Sequence, residues 1–315
     1  MTGHRDVPTR RVAWCPKGYH VKQQSFPIQD APSLSAATEV AVAADGTAWF
    51  RNGSRIVELQ GGTAKPLVHA IATAGHVRMA PQSAGRGWLL VPGGIVAVDD
   101  AGRSVASARL PELQAIATSS RGVLWAVGAG QDDALPKAFT LDGTAVSYRH
   151  AVPPAAYIAA STWGSDEVWL AGGLHSTTNG RAIWPAGEGI VVHGSKSGYA
   201  WIRIPPGPVL SVAAIGPSEA WAVGPAGLLT RIRQGLVGSE RLQPSRWLRS
   251  VGGTGPDDIW VVGDDGLLIH HDGKTMCRIK NLPLPRRPQL VSLAARGPGR
   301  AWVVGPDGIL DVQAP

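Results

Sequence analysis

Leu210-Ser211-Val212-Ala213-Ala214, Gly216-Pro217-Ser218 and Glu219-Ala220-Trp221-Ala222-Val223-Gly224 together decide how this chain folds. A short run of small and β-branched residues meets a Gly-Pro-Ser turn, and a second run then centres on tryptophan. Gly224-Pro225-Ala226-Gly227 next turns the chain into Leu228-Leu229-Thr230-Arg231-Ile232-Arg233, which stops at Gln234-Gly235. Short β-prone runs bounded by Gly, Pro and Ser read as successive antiparallel strands. Glycine recurs at these turns because tight hairpins need positive φ, which costs glycine little.

The same order surrounds six further tryptophans. Trp49, Trp88, Trp125 and Trp169 precede this unit, and Asp258-Ile259-Trp260-Val261-Val262-Gly263 and Arg300-Ala301-Trp302-Val303-Val304-Gly305 follow it. The spacings between successive tryptophans are 39, 37, 44, 52, 39 and 42 residues, the length of one four-stranded propeller blade. No 3.6-residue apolar period runs through the units, which excludes a helical solenoid. The small first runs, such as Ala159-Ala160, Ala213-Ala214, Gly252-Gly253 and Ala294-Ala295, suit strands crowded near an axis. The seven repeated tryptophans then fill the widening space between blades and belong to the core.

These units predict an all-β, seven-bladed β-propeller with four-stranded blades at about 31–68, 69–110, 111–151, 152–206, 207–245, 246–284 and 285–315. The seventh unit ends three strands into its blade, at Ile309-Leu310-Asp311-Val312. An open edge is a liability that closed all-β rings avoid. Val12-Ala13-Trp14-Cys15 matches the outer strands Tyr199-Ala200-Trp201-Ile202-Arg203 and Thr275-Met276-Cys277-Arg278-Ile279. The N-terminal stretch 10–25 is therefore expected to complete the last blade and close the ring, after a flexible arm over 1–9, with 10–315 forming one domain. Cys15 and Cys277 would then lie on outer strands of adjacent blades, beyond the reach of a bridge, as two free half-buried thiols.

Composition narrows the function classes. The chain has 315 residues, 40 of them Gly, 25 Pro and 12 Trp, with 44% hydrophobic and 17% charged residues, which excludes a disordered tail or a charged helical bundle. No run of 18 apolar residues exists, so no membrane span is expected, and Met1-Thr2-Gly3-His4-Arg5 opens no secretory signal, which makes a cytoplasmic location the expectation. The formal charge is +7, but no basic run along the sequence is longer than a pair such as Arg286-Arg287. Nucleic-acid binding is therefore weakly supported.

The repeats resemble the bacterial seven-bladed propellers loosely grouped as WD40/YVTN/BNR-like, through their Val-Trp-Ala-Val-Gly-x-x-Gly pattern. The Gly-His and Trp-Asp pairs of true WD40 repeats, the regular Gly-Gly of kelch and the sialidase Asp-box are absent. Asp45-Gly46-Thr47-Ala48-Trp49-Phe50 resembles a repeat opening of streptogramin-lyase-like propellers in one unit only. The resemblance implies a fold, and function must come from a site.

Two connections break the plan: 128–137 in the third unit and 173–185 in the fourth are longer than the four-residue turns of the last three. Both join second to third strands and emerge on one face. They gather Asp132, Asp133, Lys137, His175, Asn179, Arg181 and Trp184, a mixture suited to a protein interface. Passive surface insertion is the competing reading. Catalytic motifs are thin. His270 and His271 point to opposite faces of a strand, His175 and His193 lack a carboxylate nearby in sequence, and the recurrent turn aspartates suit local backbone hydrogen bonds. Walker, Gly-x-Ser-x-Gly and Cys-x-x-Cys patterns are absent, and no metal or cofactor is expected.

The favoured reading is a non-catalytic scaffold or recognition subunit with a protein partner. One alternative is a lyase- or hydrolase-like enzyme with a substrate or small ligand at the channel mouth, where Glu39, Arg78, Gln114 and Arg249 are the polar exceptions among inner-strand residues. Another is a glycan-binding propeller, although Trp163, Trp184 and Trp247 lie at dissimilar positions.

Overall fold

The computed structural model describes residues 7–28, 31–60, 62–68, 77–92, 94–99, 104–109, 113–128, 137–142, 145–151, 155–179, 182–195, 198–205 and 207–315. The described strands sort into seven antiparallel-based sheets in chain order, and the fold is an all-β propeller. The innermost strands, among them Glu39–Val42, Ser211–Gly216, Leu248–Gly255 and Ser292–Gly297, adjoin one another around the axis. Apolar cores lie between neighbouring sheets. Trp221 and Val223 of the fifth sheet pack with Val251 and Ile269 of the sixth, and Trp302 and Val304 of the seventh pack with Phe26 and Phe50 of the first.

All seven repeat tryptophans are buried, at 0–8% exposure. Each sits on a second strand, where alternation sends one side chain toward the adjacent sheet. The glycine that closes the Val-Gly end of the Trp strand in the later sheets has a different cause from the hairpin geometry read from sequence. A Cβ on Gly263 would come within 2.2 Å of the Trp247 carbonyl oxygen, and one on Gly305 within 1.9 Å of the Gln289 carbonyl oxygen. The chain entering the innermost strand crosses so closely that no side chain fits. Positive φ is needed later in the turn, at Gly266 (φ 65°).

A belt of side-chain hydrogen bonds joins the inner strands. Ser211 Oγ accepts from the Val251 N–H at 3.3 Å, Ser250 Oγ from Leu293 at 3.3 Å and Ser292 Oγ from Val40 at 3.3 Å. Glu39 Oε1 accepts from Met79 at 3.2 Å. The belt thus runs from the fifth sheet through the sixth, seventh and first to the second. Inner strands present their backbone edges to neighbours, and these acceptors satisfy N–H groups that burial would otherwise leave unpaired.

The N-terminal segment laces the rim through four short strands: β1 (Thr9–Arg10), β2 (Ala13–Trp14), β3 (His20–Gln24) and β4 (Phe26–Ile28). β1 adds in parallel to the fifth sheet, with Thr9 opposite Arg241, so Thr9 is paired. β2 adds in parallel to the sixth, with Ala13 opposite Cys277 and Trp14 opposite Arg278. β3 runs antiparallel to Gly308–Gln313 of the seventh, and β4 pairs with the first sheet at Ala64. Val12-Ala13-Trp14-Cys15 therefore lies one sheet earlier than its sequence match indicated. The strand beside Gly308–Gln313 is His20–Gln24, whose Val21 packs on the core between the sixth and seventh sheets.

This placement overturns the expectation of two free thiols. Cys15 and Cys277 form a disulfide with Cα atoms 4.7 Å apart. The expectation failed because it put Cys15 on the seventh sheet. Added to the sixth sheet's own edge, Cys15 lies directly beside Cys277, and its N–H donates to the Arg278 carbonyl at 2.8 Å.

Candidate functional site

On the face carrying the second-to-third strand connections, the fourth sheet departs from the others. Its second and third strands, Glu167–Asn179 and Ala182–Ser195, are 13 and 14 residues long. Pairing continues beyond a register shift at Gly173/His175, through His175 opposite Ala186 and Thr177 opposite Trp184, to Asn179 opposite Ala182. The insertion is a two-stranded ribbon continuous with its sheet. Thr177-Thr178 and Ile183-Trp184 are strand-favouring residues, so the longer connection extends the ladder.

Of the sequence-predicted site residues, His175, Asn179 and Trp184 lie on this ribbon. Lys137 opens the third strand of the third sheet, opposite Gly128 and Ala151. Asp132, Asp133 and Arg181 lie outside the described residues.

At the centre of the same face, the first residues of the inner strands line a polar cavity of about 240 Å³ to which all seven sheets contribute. Three of the four polar exceptions noted in the sequence are held in structural contacts. Glu39 pairs with Arg51, Nε to Oε2 at 3.0 Å. Gln114 Oε1 accepts from the Tyr157 N–H at 2.8 Å, and Arg249 Nε donates to Asp264 Oδ1 at 2.6 Å. Arg78 differs: its guanidinium reaches from the second sheet to the Ile158 carbonyl of the fourth, at 3.4 Å.

The opposite face holds a set of carboxylates that clip one sheet to the next. Glu58 Oε2 accepts from Trp49 Nε1 at 3.2 Å and from the Gly85 N–H of the second sheet at 2.5 Å. Glu167 Oε2 lies 3.2 Å from His193 Nε2 and accepts from the Ser218 N–H of the fifth sheet at 3.0 Å. His193 thus gains the carboxylate that sequence proximity had not supplied, and it stacks on Trp169 at 4.2 Å. In the sixth sheet, Asp258 Oδ1 accepts from Trp260 Nε1 at 2.8 Å and meets His270 Nε2 at 2.9 Å. His270 Nδ1 is 2.8 Å from the Tyr19 hydroxyl.

The chain Asp258, His270, Tyr19 has the order of a proton relay, but its electrostatics point to structure. Burial works to raise the Asp258 pKa, and hydrogen bonds from His270, Thr254 and the Gly299 N–H outweigh it and hold the carboxyl below its ordinary range. Burial, with the charges of Asp272 and Asp258, pushes the Tyr19 phenol up to about 12, the reverse of what a nucleophile needs. The relay fastens the N-terminal segment to the sixth sheet beside the disulfide, since the Tyr19 hydroxyl lies 3.6 Å from Cys277 Sγ. Among the described residues no group of three His, Cys, Asp or Glu is placed to hold a metal, and no helix is long and apolar enough to cross a membrane.

No family model matches the chain, and no curated protein matches it in sequence. Solved structures do. A streptogramin B lyase structure superposes with a TM-score of 0.71 at 14% identity, covering 94% of this chain and 98% of that one. The WD40 repeats of RRP9 give 0.68 at 11%, covering 94% and 100%, and YCF48 bound to D1 peptide gives 0.64 at 13%, covering 98% and 97%. Identities this low show the fold alone: a β-propeller of WD40-like type.

Proposed function

We propose that this chain is a non-catalytic recognition module, a seven-bladed propeller of one domain laced shut by its N-terminal segment, which holds a protein partner on the ribbon face. The observation that carries this reading is the ribbon itself. A paired two-stranded extension running to Asn179 and Ala182 presents a protruding surface on an ordered base, where the later sheets turn tightly. The contact residues in this reading are Asp132, Asp133, Lys137, His175, Asn179, Arg181 and Trp184. The similar fold of YCF48, whose structure has a peptide bound, supports the choice of a protein ligand.

Shortening 174–186 to the sixth sheet's Asp-Asp turn, or replacing Arg181 and Trp184 with Ala, is expected to abolish co-purification of a partner from the native host. In the Arg181 and Trp184 pair the melting temperature should move by less than about 2 °C, as for surface changes generally. A partner retained at full stoichiometry by both variants refutes the reading. A small ligand at the channel mouth is the second reading, favoured by Arg78, whose guanidinium meets a backbone carbonyl in the cavity. Loss of ligand binding in Arg78→Ala, with the ribbon variants unaffected, would select it. The disulfide further supports an oxidising compartment over the cytoplasm.

A further inference from the structure

The basic residues that form no cluster along the sequence form one in space, across the sixth sheet on the ribbon face. At the rim, Trp14 of β2 lies under the Arg278 guanidinium at 4.8 Å and the Lys280 ammonium at 4.7 Å. Arg278 reaches inward to the Asp265 carbonyl at 3.4 Å. Arg246 donates to that same oxygen at 3.1 Å and lies 3.6 Å from the Asp265 carboxylate. The next residue, Trp247, carries the Arg249 guanidinium at 5.5 Å, and Arg249 lines the central cavity. Four cations and two carboxylates, Asp264 and Asp265, thus form a continuous radial track from the rim to the axis.

Positive charge is in excess along the track. Arg246 and Arg278 share one carbonyl acceptor, and Arg278 Nε is buried with no acceptor. Burial and then repulsion from Arg246 lower the proton affinity of Arg278, which an incoming anion would relieve. The tryptophans hold the cations extended by cation–π contact, so less side-chain freedom is lost on binding.

We propose that this track binds an acidic, carboxylate-rich segment of a protein partner, entering over Trp14 and running toward the channel mouth. The proposal rests on the reading that this face meets a protein, and it supplies the chemistry of the segment recognised. Guanidinium forks match carboxylates in bidentate geometry. Single-stranded nucleic acid would need a succession of aromatic rings for its bases, and the track offers two part-exposed rings, Trp14 and Trp247, each with a cation over it, among four closely spaced cations.

Fluorescence anisotropy with a labelled poly-glutamate peptide tests it, with oligo-thymidine of equal length as the competing probe. The pair Arg246→Glu with Arg278→Glu should weaken peptide binding by at least about tenfold. The pair Lys22→Glu with Lys65→Glu, equal in charge change and on exposed strands elsewhere, should stay within about twofold. Arg246→Gln with Arg278→Gln, checked for an unchanged melting temperature, covers the case in which charge reversal prevents folding. No binding by the parent, equal losses in the Lys22/Lys65 pair, or tighter binding of oligo-thymidine lost in the same arginine variants would overturn the proposal. The variant shortened at 174–186 separates the two readings. It should keep peptide affinity whether or not the ribbon is the partner site, and loss of the peptide there would overturn the track.

Discussion

Removing the Cys15–Cys277 bond should be felt by the whole ring, because the bond closes nearly the entire chain. The two cysteines are 262 residues apart. Closing a loop of that length removes roughly 19 cal/mol/K from the unfolded chain, or about 5.5 kcal/mol at 25 °C, in the chain-entropy treatment. Unfolding entropy near 2.1 cal/mol/K per residue gives about 0.66 kcal/mol/K for a chain of this size, so the loss corresponds to a fall in melting temperature of about 8 °C. The sixth-sheet edge should loosen as well, since β2 rests on only two residue pairs. Calorimetry of the parent with and without a phosphine reductant, beside Cys15→Ser with Cys277→Ser, reads the effect. The double variant should melt where the reduced parent melts and should be indifferent to reductant. A parent whose melting temperature moves by less than about 1 °C on complete reduction would refute the reasoning. So would two thiols titrating in the native, unreduced protein.

The carboxylate clips give a pH prediction. Asp45 and Asp258 are both held below the ordinary carboxylate range, Asp45 because N–H donors at Thr47 and Ala84 outweigh its burial. A depressed folded-state pKa contributes stability that is fully present above the unfolded value of about 3.9 and is lost as pH falls through the lower folded value. The urea midpoint should therefore drop below about pH 4, with a shallower drop in Asp258→Asn. That variant should also lose about 1–3 kcal/mol at neutral pH through its weakened contacts to Trp260 and His270; an unchanged midpoint would make the clip energetically idle. Gly263→Ala should cost about 1–3 kcal/mol in chemical denaturation, because its Cβ meets backbone that cannot turn aside. The same change at Gly255, where nothing lies within 4 Å, should cost much less.

The architecture was legible because its signals are local and repeated. Each Trp strand carries its own turn residues and small-residue partner strand within about forty residues, and burial of Trp49 or Trp260 follows from the recurrence of that unit along the chain. The hydrogen-bonding belt was equally available. Glu39, Ser211, Ser250 and Ser292 each stand ten residues before their unit's tryptophan, a shared position whose hydrogen-bonding capacity the reading of Glu39 as a channel-mouth residue left out. An acid also stands two residues before Trp169, Trp221 and Trp260, as Glu167, Glu219 and Asp258.

Other features had no trace in the sequence, because they join elements far apart along the chain. Two-residue parallel pairings such as Ala13–Trp14 on Met276–Arg278 carry no signature of their own, since many outer edges share one alternating pattern. One sheet's difference in where that strand docks decides whether Cys15 and Cys277 bond. The contacts of His193 with Glu167 and of Tyr19 with His270 span 26 and 251 residues, and the basic track is assembled from β2 and three separate stretches of the fifth-to-sixth-sheet region. The repeat determines the ring, because every unit must bury the same tryptophan. The clasp, the clips and the charged track are decided only when the ring brings distant edges together.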